Sequence, residues 1–133
     1  MCIRDRTKAE EFEKAWRLGY KNDFSMVDKI YHPKYAALER NTGVEVNLEA
    51  DKIIISTYGE YLTIGPFRLI FEDENFLCLE RIYRSNLTGG FTYNVGITAV
   101  TYLDGRIITQ ESTNENDVPD PSEGQDWNWE DYQ

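Results

Sequence analysis

Arg81 and Tyr83 stand two residues apart, on the same face of a strand as Leu77 and Leu79. If that face lines a pocket, Arg81 offers a permanent cation with a fork of donors. Such a group suits an anionic substrate group, or a carboxylate such as Glu39. A salt bridge at the rim is the plainer alternative. Glu39 shares one side of a short strand with Tyr35 and Ala37. At the mouth of an apolar pocket, desolvation would raise its pKa and suit it to taking or giving a proton. Pairing with Arg40 or Arg81, or solvation at the strand end, would leave it inert. Trp16, Tyr20, Tyr58, Tyr61, Tyr83 and Tyr93 are numerous for a small core. Aromatics at helical spacing usually just fill an interior. Converging on one cavity with Gln110, Ser112 and Asn114, they would instead bind a flat or ring-shaped ligand.

Other chemistries lack their residues. His32 is the one histidine, and it precedes Pro33 at a helix end, where an imidazole caps carbonyls or faces water. Cys2 and Cys78 are the two cysteines. Cys78 lies in an apolar strand and reads as a small buried hydrophobe, so no disulfide between them is expected. No metal site and no cofactor are expected from this inventory. Glu111, Glu115 and Asp117 read as a solvated strand edge.

The elements that must position these groups are legible from periodicity. Residues 7–22 read as a helix, opened by a Thr7–Glu10 capping box and striped by Phe12, Ala15, Trp16, Gly19 and Tyr20. Ser25 caps a short helix over 26–31, ended by His32-Pro33. Residues 35–40 form a short strand. A second long helix over 48–62 follows Asn47, with Ala50, Ile54, Tyr58 and Tyr61 as its core stripe, helped by Ile53 and Thr57. Gly65-Pro66 stops it. Strands follow over 67–72 and 76–84, and then two long strands meet at Asp104-Gly105. An Asp-Gly pair between alternating residues predicts a two-residue type I′ hairpin. That register sets Leu103 opposite Arg106, Thr101 opposite Ile108, Ala99 opposite Gln110 and Ile97 opposite Ser112. Tyr93, Val95, Ile97, Ala99, Ile108, Gln110, Ser112 and Asn114 would then share the pocket face. Helices ahead of an antiparallel meander predict an α+β fold, with helices covering one face of a curved sheet.

The chain has 133 residues, enough for one domain with a real core. Its net charge is −10, and the last 17 residues hold six acids and no lysine or arginine. Without a basic patch, nucleic acid lacks its electrostatic handle, and anionic membrane surfaces are disfavoured. No stretch approaches the roughly 20 apolar residues of a membrane helix. A cytoplasmic location is the expectation. Residues 1–6, MCIRDR, resemble a leader found in reading frames predicted from environmental DNA and are set apart from the 7–116 domain. The acidic tail, 117–133, contains Trp127, Trp129 and Tyr132. Either it is flexible, or one of its tryptophans docks on an apolar groove or covers the pocket mouth.

The aromatic first helix, the YHPKYAALE run and the LDGRI turn together resemble the nuclear-transport-factor-2-like superfamily, and within it the SnoaL-like domains. The resemblance spans 7–115. It implies a cone-shaped half-barrel around an apolar pocket, a homodimer through the outer sheet face, a small hydrophobic ligand and chemistry without a cofactor. The reactions it implies are isomerisation, cyclisation, dehydration or hydrolysis, with a non-catalytic binding domain as the alternative. It places Glu39 where ketosteroid isomerase keeps its base, as acid or base, with Arg81, Tyr83 or Gln110 orienting substrate. It also implies what is missing. Ala15 and Ala99 fall where that isomerase keeps its tyrosine and its protonated aspartate. Tyr83 stands where an epoxide hydrolase of the same superfamily needs an aspartate.

Overall fold

The computed structural model describes residues 7–87 and 89–133, so the six-residue leader and Cys2 lie outside it. Helix α1 (Lys8–Gly19) is opened by the expected capping box: Thr7 accepts from the Glu10 amide, and Glu10 reaches back to Thr7. Its apolar stripe buries Phe12, Ala15 and Trp16. Helix α2 (Ser25–Ile30) runs directly into strand β1 (Tyr31–Glu39), with His32-Pro33 inside the strand. Proline has no N–H to donate, and the pairing of β1 breaks register between Tyr31 and Ala36. A short strand β2 (Val44–Val46) follows, then α3 (Leu48–Tyr58), a 3-10 turn and strand β3 (Leu62–Ile64). Strands β4 (Arg68–Glu72), β5 (Phe76–Ser85), β6 (Thr92–Leu103) and β7 (Arg106–Glu115) complete the sheet.

The sheet is an unclosed, curved half-barrel ordered β2-β1-β7-β6-β5-β3, with β4 also on β5. It is mixed rather than wholly antiparallel, because β1 runs parallel to β7. The core lies between this sheet and the helices, built from Phe12, Ala15, Trp16, Val27, Tyr31, Tyr35, Leu77, Leu79, Val100 and Ile107.

The hairpin turn is as expected, with positive φ at both Asp104 (53°) and Gly105 (80°). Its register holds for one step only. Leu103 pairs Arg106 and Tyr102 pairs Ile107, but Thr101 then pairs Thr109. Ile108 is the extra residue of a bulge, which rephases β7 by one position. Val100 therefore faces Gln110, and Thr98 faces Ser112. The interior face of β6 carries Asn94, Gly96, Thr98, Val100 and Tyr102, not the Tyr93 set. This corrects Tyr93 as a pocket residue: it lies on the outer face, against the Trp129 ring at 5.9 Å. Ala99 turns outward as well, and none of the residues facing inward from β6 is an acid.

Helix α3 is rotated relative to its predicted stripe. Ile53, Ile54 and Tyr58 face outward, and Tyr61 beyond it is also exposed. The sheltered side carries Leu48, Asp51, Lys52 and Ile55 instead. Lys52 Nζ bonds Asp28 on α2, and its ammonium lies 5.7 Å from the Phe24 ring centre.

The tail folds back onto the outer sheet face. Val118 N–H donates to Tyr93 O at 2.9 Å. Trp129 is only 3% exposed, and its indole donates to Asp120 Oδ1 at 3.0 Å. The Arg84 guanidinium is held between the Phe91 and Trp129 rings and pairs with Glu130 at 3.2 Å. Tyr132 reaches Arg17, which also caps the Ile64 and Gly65 carbonyls from α1.

Candidate functional site

Alternation along β5 sends Leu77, Leu79, Arg81 and Tyr83 inward, and their depth differs. Leu77 and Leu79 close the core; Arg81 and Tyr83 line a cavity of about 260 Å³ with Tyr20, Leu62, Asn94, Asn114 and Asn116. The row across the sheet is Arg81, Gly96, Asn114. Gly96 leaves room between them for the Asn114 amide, which a Cβ there would force to swing aside. The walls are mixed, with the aromatic faces of Tyr20 and Tyr83 and the Leu62 side chain beside three asparagine amides and Arg81. A second hollow of about 390 Å³ lies between the end of α1, β3 and the tail, and shares Tyr20 and Leu62 with the first. The smaller one holds the buried charge and is the better site.

Arg81 is set among rings. Its guanidinium lies 5.9 Å from the Phe12 centroid and 5.6 Å from that of Tyr83. Its Nε is closed off from solvent and makes no hydrogen bond. Burial first, then the neighbouring Tyr83, makes the Tyr20 phenol a weaker acid than usual. Asp51, on α3, accepts from the Tyr35 hydroxyl at 3.4 Å. Burial pushes its carboxyl up to about 6, although Arg81 and the Tyr35 bond pull it down. Asp51 does not itself line the cavity, but its field reaches both Arg81 and Tyr20, which do. In the sequence it reads as a first-turn acid suited to the helix dipole. The signal pointing inward is its place between Leu48 and Ile55, three and four residues away.

Behind this cavity runs a buried chain. Trp16 Nε1 donates to Tyr31 Oη, and Tyr31 donates to Gln110 Oε1, both at 2.8 Å. Burial holds the Tyr31 and Tyr35 phenols well above their usual range. The Tyr31 and Tyr35 rings meet edge to face at 4.5 Å.

The residues singled out from sequence thus divide. Arg81, Tyr83, Tyr20 and Asn114 meet at the cavity. Trp16 and Gln110 belong to the buried chain behind it. Tyr58 and Tyr61, 45% and 42% exposed, stand outside as a consequence of the rotation of α3, and Tyr93 lies on the far face. Glu39 ends β1 with both oxygens engaged: Oε2 accepts from Asn114 Nδ2 at 2.8 Å and Oε1 from the Asn41 amide. His32 Nδ1 accepts from the Lys34 amide at 3.0 Å, a local turn bond. Asp51, Asn94 and Asn116 are the site residues that sequence reasoning missed.

A curved, open sheet packed against three helices is the architecture of the nuclear-transport-factor-2-like fold. Solved structures share it. A candidate SnoaL-like polyketide cyclase from Jannaschia sp. CCS1 superposes with a TM-score of 0.64 at 13% identity, covering 86% of this chain and 92% of that one. AclR, a candidate hydroxylase from Streptomyces galilaeus, gives 0.60 at 14%, covering 85% and 83%. An NTF-2 like protein of unknown function from Burkholderia xenovorans LB400 gives 0.55 at 18%, covering 87% of each chain. At such identities the likeness is one of fold. No family model matches the sequence, and no curated protein does.

Proposed function

We propose that this domain binds a small ring-bearing molecule in the Arg81–Tyr83 cavity and carries out cofactor-independent acid–base chemistry on it, as an isomerase, cyclase, dehydratase or hydrolase. The observation that carries this reading is the Arg81 cation lining the same cavity as the Tyr20 and Tyr83 side chains. Fixed donors of this kind stabilise negative charge developing on a substrate oxygen. The proton carrier in this proposal is Asp51, whose carboxyl burial lifts to about 6 and whose field reaches Arg81 and Tyr20 at the cavity. Glu39 acts through its bond to Asn114 and so positions an amide at the cavity wall. The candidate polyketide cyclase among the structural neighbours fits this class of chemistry.

Exchange of acidic C–H protons of cyclic ketones and β-dicarbonyl compounds into deuterated water, followed by NMR, tests it. Asp51→Asn is expected to slow exchange by about 10²- to 10⁴-fold. Glu39→Gln, which keeps one acceptor oxygen, is expected to cost far less. An Asp51→Asn protein that exchanges as fast as the parent removes Asp51, and an equal loss in Glu39→Gln moves the role there. A non-catalytic binding domain is the second reading, favoured by the full engagement of both Glu39 oxygens; binding without any exchange is its signature.

The outer sheet face left open by the tail, around Ile97 (36% exposed), is where we place a homodimer contact. Sedimentation should show a concentration-dependent dimer that Ile97→Asp abolishes; a monomer at every concentration rejects it.

A further inference from the structure

Among the described residues Arg81 forms no salt bridge, although the field of Asp51, which does not line the cavity, reaches it. Arg17, Arg40, Arg68 and Arg84 each pair with a carboxylate, and Arg106 is exposed on the hairpin turn. Arg81 is neither paired nor exposed. Burying an unpaired charge is costly, and the faces of Phe12 and Tyr83 compensate it only in part. A fold that retains such a charge at a cavity wall has a place for an anion.

The cavity narrows the choice. Arg81 is the one ionised side chain in its lining, beside two phenols, three asparagine amides and Leu62. Two of the amides, Asn94 and Asn114, sit on facing strands, with Asn114 tied back to Glu39. A drug-sized ligand takes roughly 300–1,000 Å³. At about 260 Å³ this cavity suits a single ring with a short polar group. A guanidinium matches carboxylate and phosphate alike. A dianion, however, would set two negative charges against one cation, near Asp51, in a chain of net charge −10. The same fork geometry already binds carboxylates here: Arg17 and Arg68 each use Nε and Nη2 on a glutamate.

We propose that the ligand is a single-ring carboxylic acid, its carboxylate on the Arg81 guanidinium and its ring against Tyr20 and Tyr83. This rests on the reading above that the Arg81–Tyr83 cavity is the small-molecule site.

Titration calorimetry on the full chain with benzoate, benzamide and phenyl phosphate tests it, at a mildly acidic pH where benzoate is ionised and Asp51 largely protonated. Benzoate is expected to bind roughly 10- to 100-fold more tightly than benzamide, the margin of a charge-assisted hydrogen-bonded pair. Arg81→Gln should remove that margin, with both ligands binding alike, and Arg81→Lys should keep part of it. If Arg81→Gln does not fold, the benzoate-to-benzamide ratio in the parent protein decides alone. Equal affinities there overturn the carboxylate and leave the small-molecule site standing, and tighter binding of phenyl phosphate overturns it in favour of phosphate. Failure of all three ligands to bind overturns both this proposal and the site.

Discussion

Replacing Trp129 with alanine is expected to destabilise the chain by roughly 3–5 kcal/mol, the usual cost of truncating a buried indole. The expectation rests on how much meets at that ring. Trp129 is 3% exposed, faces Tyr93 and Trp127 at 5.9 and 5.0 Å, and donates to Asp120. Losing it also frees the Glu130 partner of Arg84, whose guanidinium is buried and would then keep only the Phe91 ring at 4.1 Å. Removing one side of such a pair leaves an uncompensated charge, which adds to the cavity term. Urea unfolding measures the loss. A chain lacking 120–133 should lose at least as much, because Ile82 and Arg84 are uncovered with it. A Trp129→Ala protein within half a kcal/mol of the parent would show that the tail contributes nothing to the fold.

Asp51→Asn is expected to change stability in a way that depends on pH. The ordinary value for an aspartate is 3.8, and burial raises this one to about 6 in the fold. Below 3.8 the carboxyl is protonated in both states, and its folded environment costs nothing extra. Between the two values the folded chain holds a proton that the unfolded chain has released. Stability therefore falls as pH rises, until the loss is complete above the folded value. Asparagine keeps the shape and has no proton to lose. At mildly alkaline pH the variant should be more stable than the parent by about 2–3 kcal/mol, two units at 1.36 kcal/mol each. Below the unfolded value the difference should vanish. Urea titrations across that range check it, and an offset that stays constant with pH contradicts the assignment. The same substitution is expected to slow proton exchange, so stability and activity should move in opposite directions, as is usual where an interior charge is kept for function.

Much of the fold was legible because its signals are local. The Thr7–Glu10 box, the Asp104-Gly105 turn and the alternation of Leu77 to Tyr83 each fix geometry within a few residues, and each is present as read. The site was legible along β5 for the same reason: period 2 puts Arg81 and Tyr83 on one face whatever their neighbours do. What failed was phase between elements. Nothing near Ile108 announces a bulge, so one extra residue reversed the face assigned to Tyr93. Helix α3 has apolar residues on more than one side, and tertiary contact alone selects the side with Asp51. Its outward isoleucines and Tyr58 made the wrong stripe look the better one. The tail's tryptophans signalled docking, but the groove they use consists of residues far apart in sequence, Gly65, Arg84 and Tyr93.

The chain of bonds from Trp16 through Tyr31 to Gln110 has a direction that follows from valence alone. An indole N–H can only donate, so the Tyr31 oxygen that receives it must turn its own proton the other way. That proton in turn identifies the facing atom of Gln110 as its carbonyl oxygen, and so fixes which end of that amide is which. One residue on the first helix thereby sets the orientation of every hydrogen along a path to the last strand. Substituting phenylalanine for Trp16 would remove the donor along with part of the buried ring and erase that orientation, leaving a hydroxyl free to point either way.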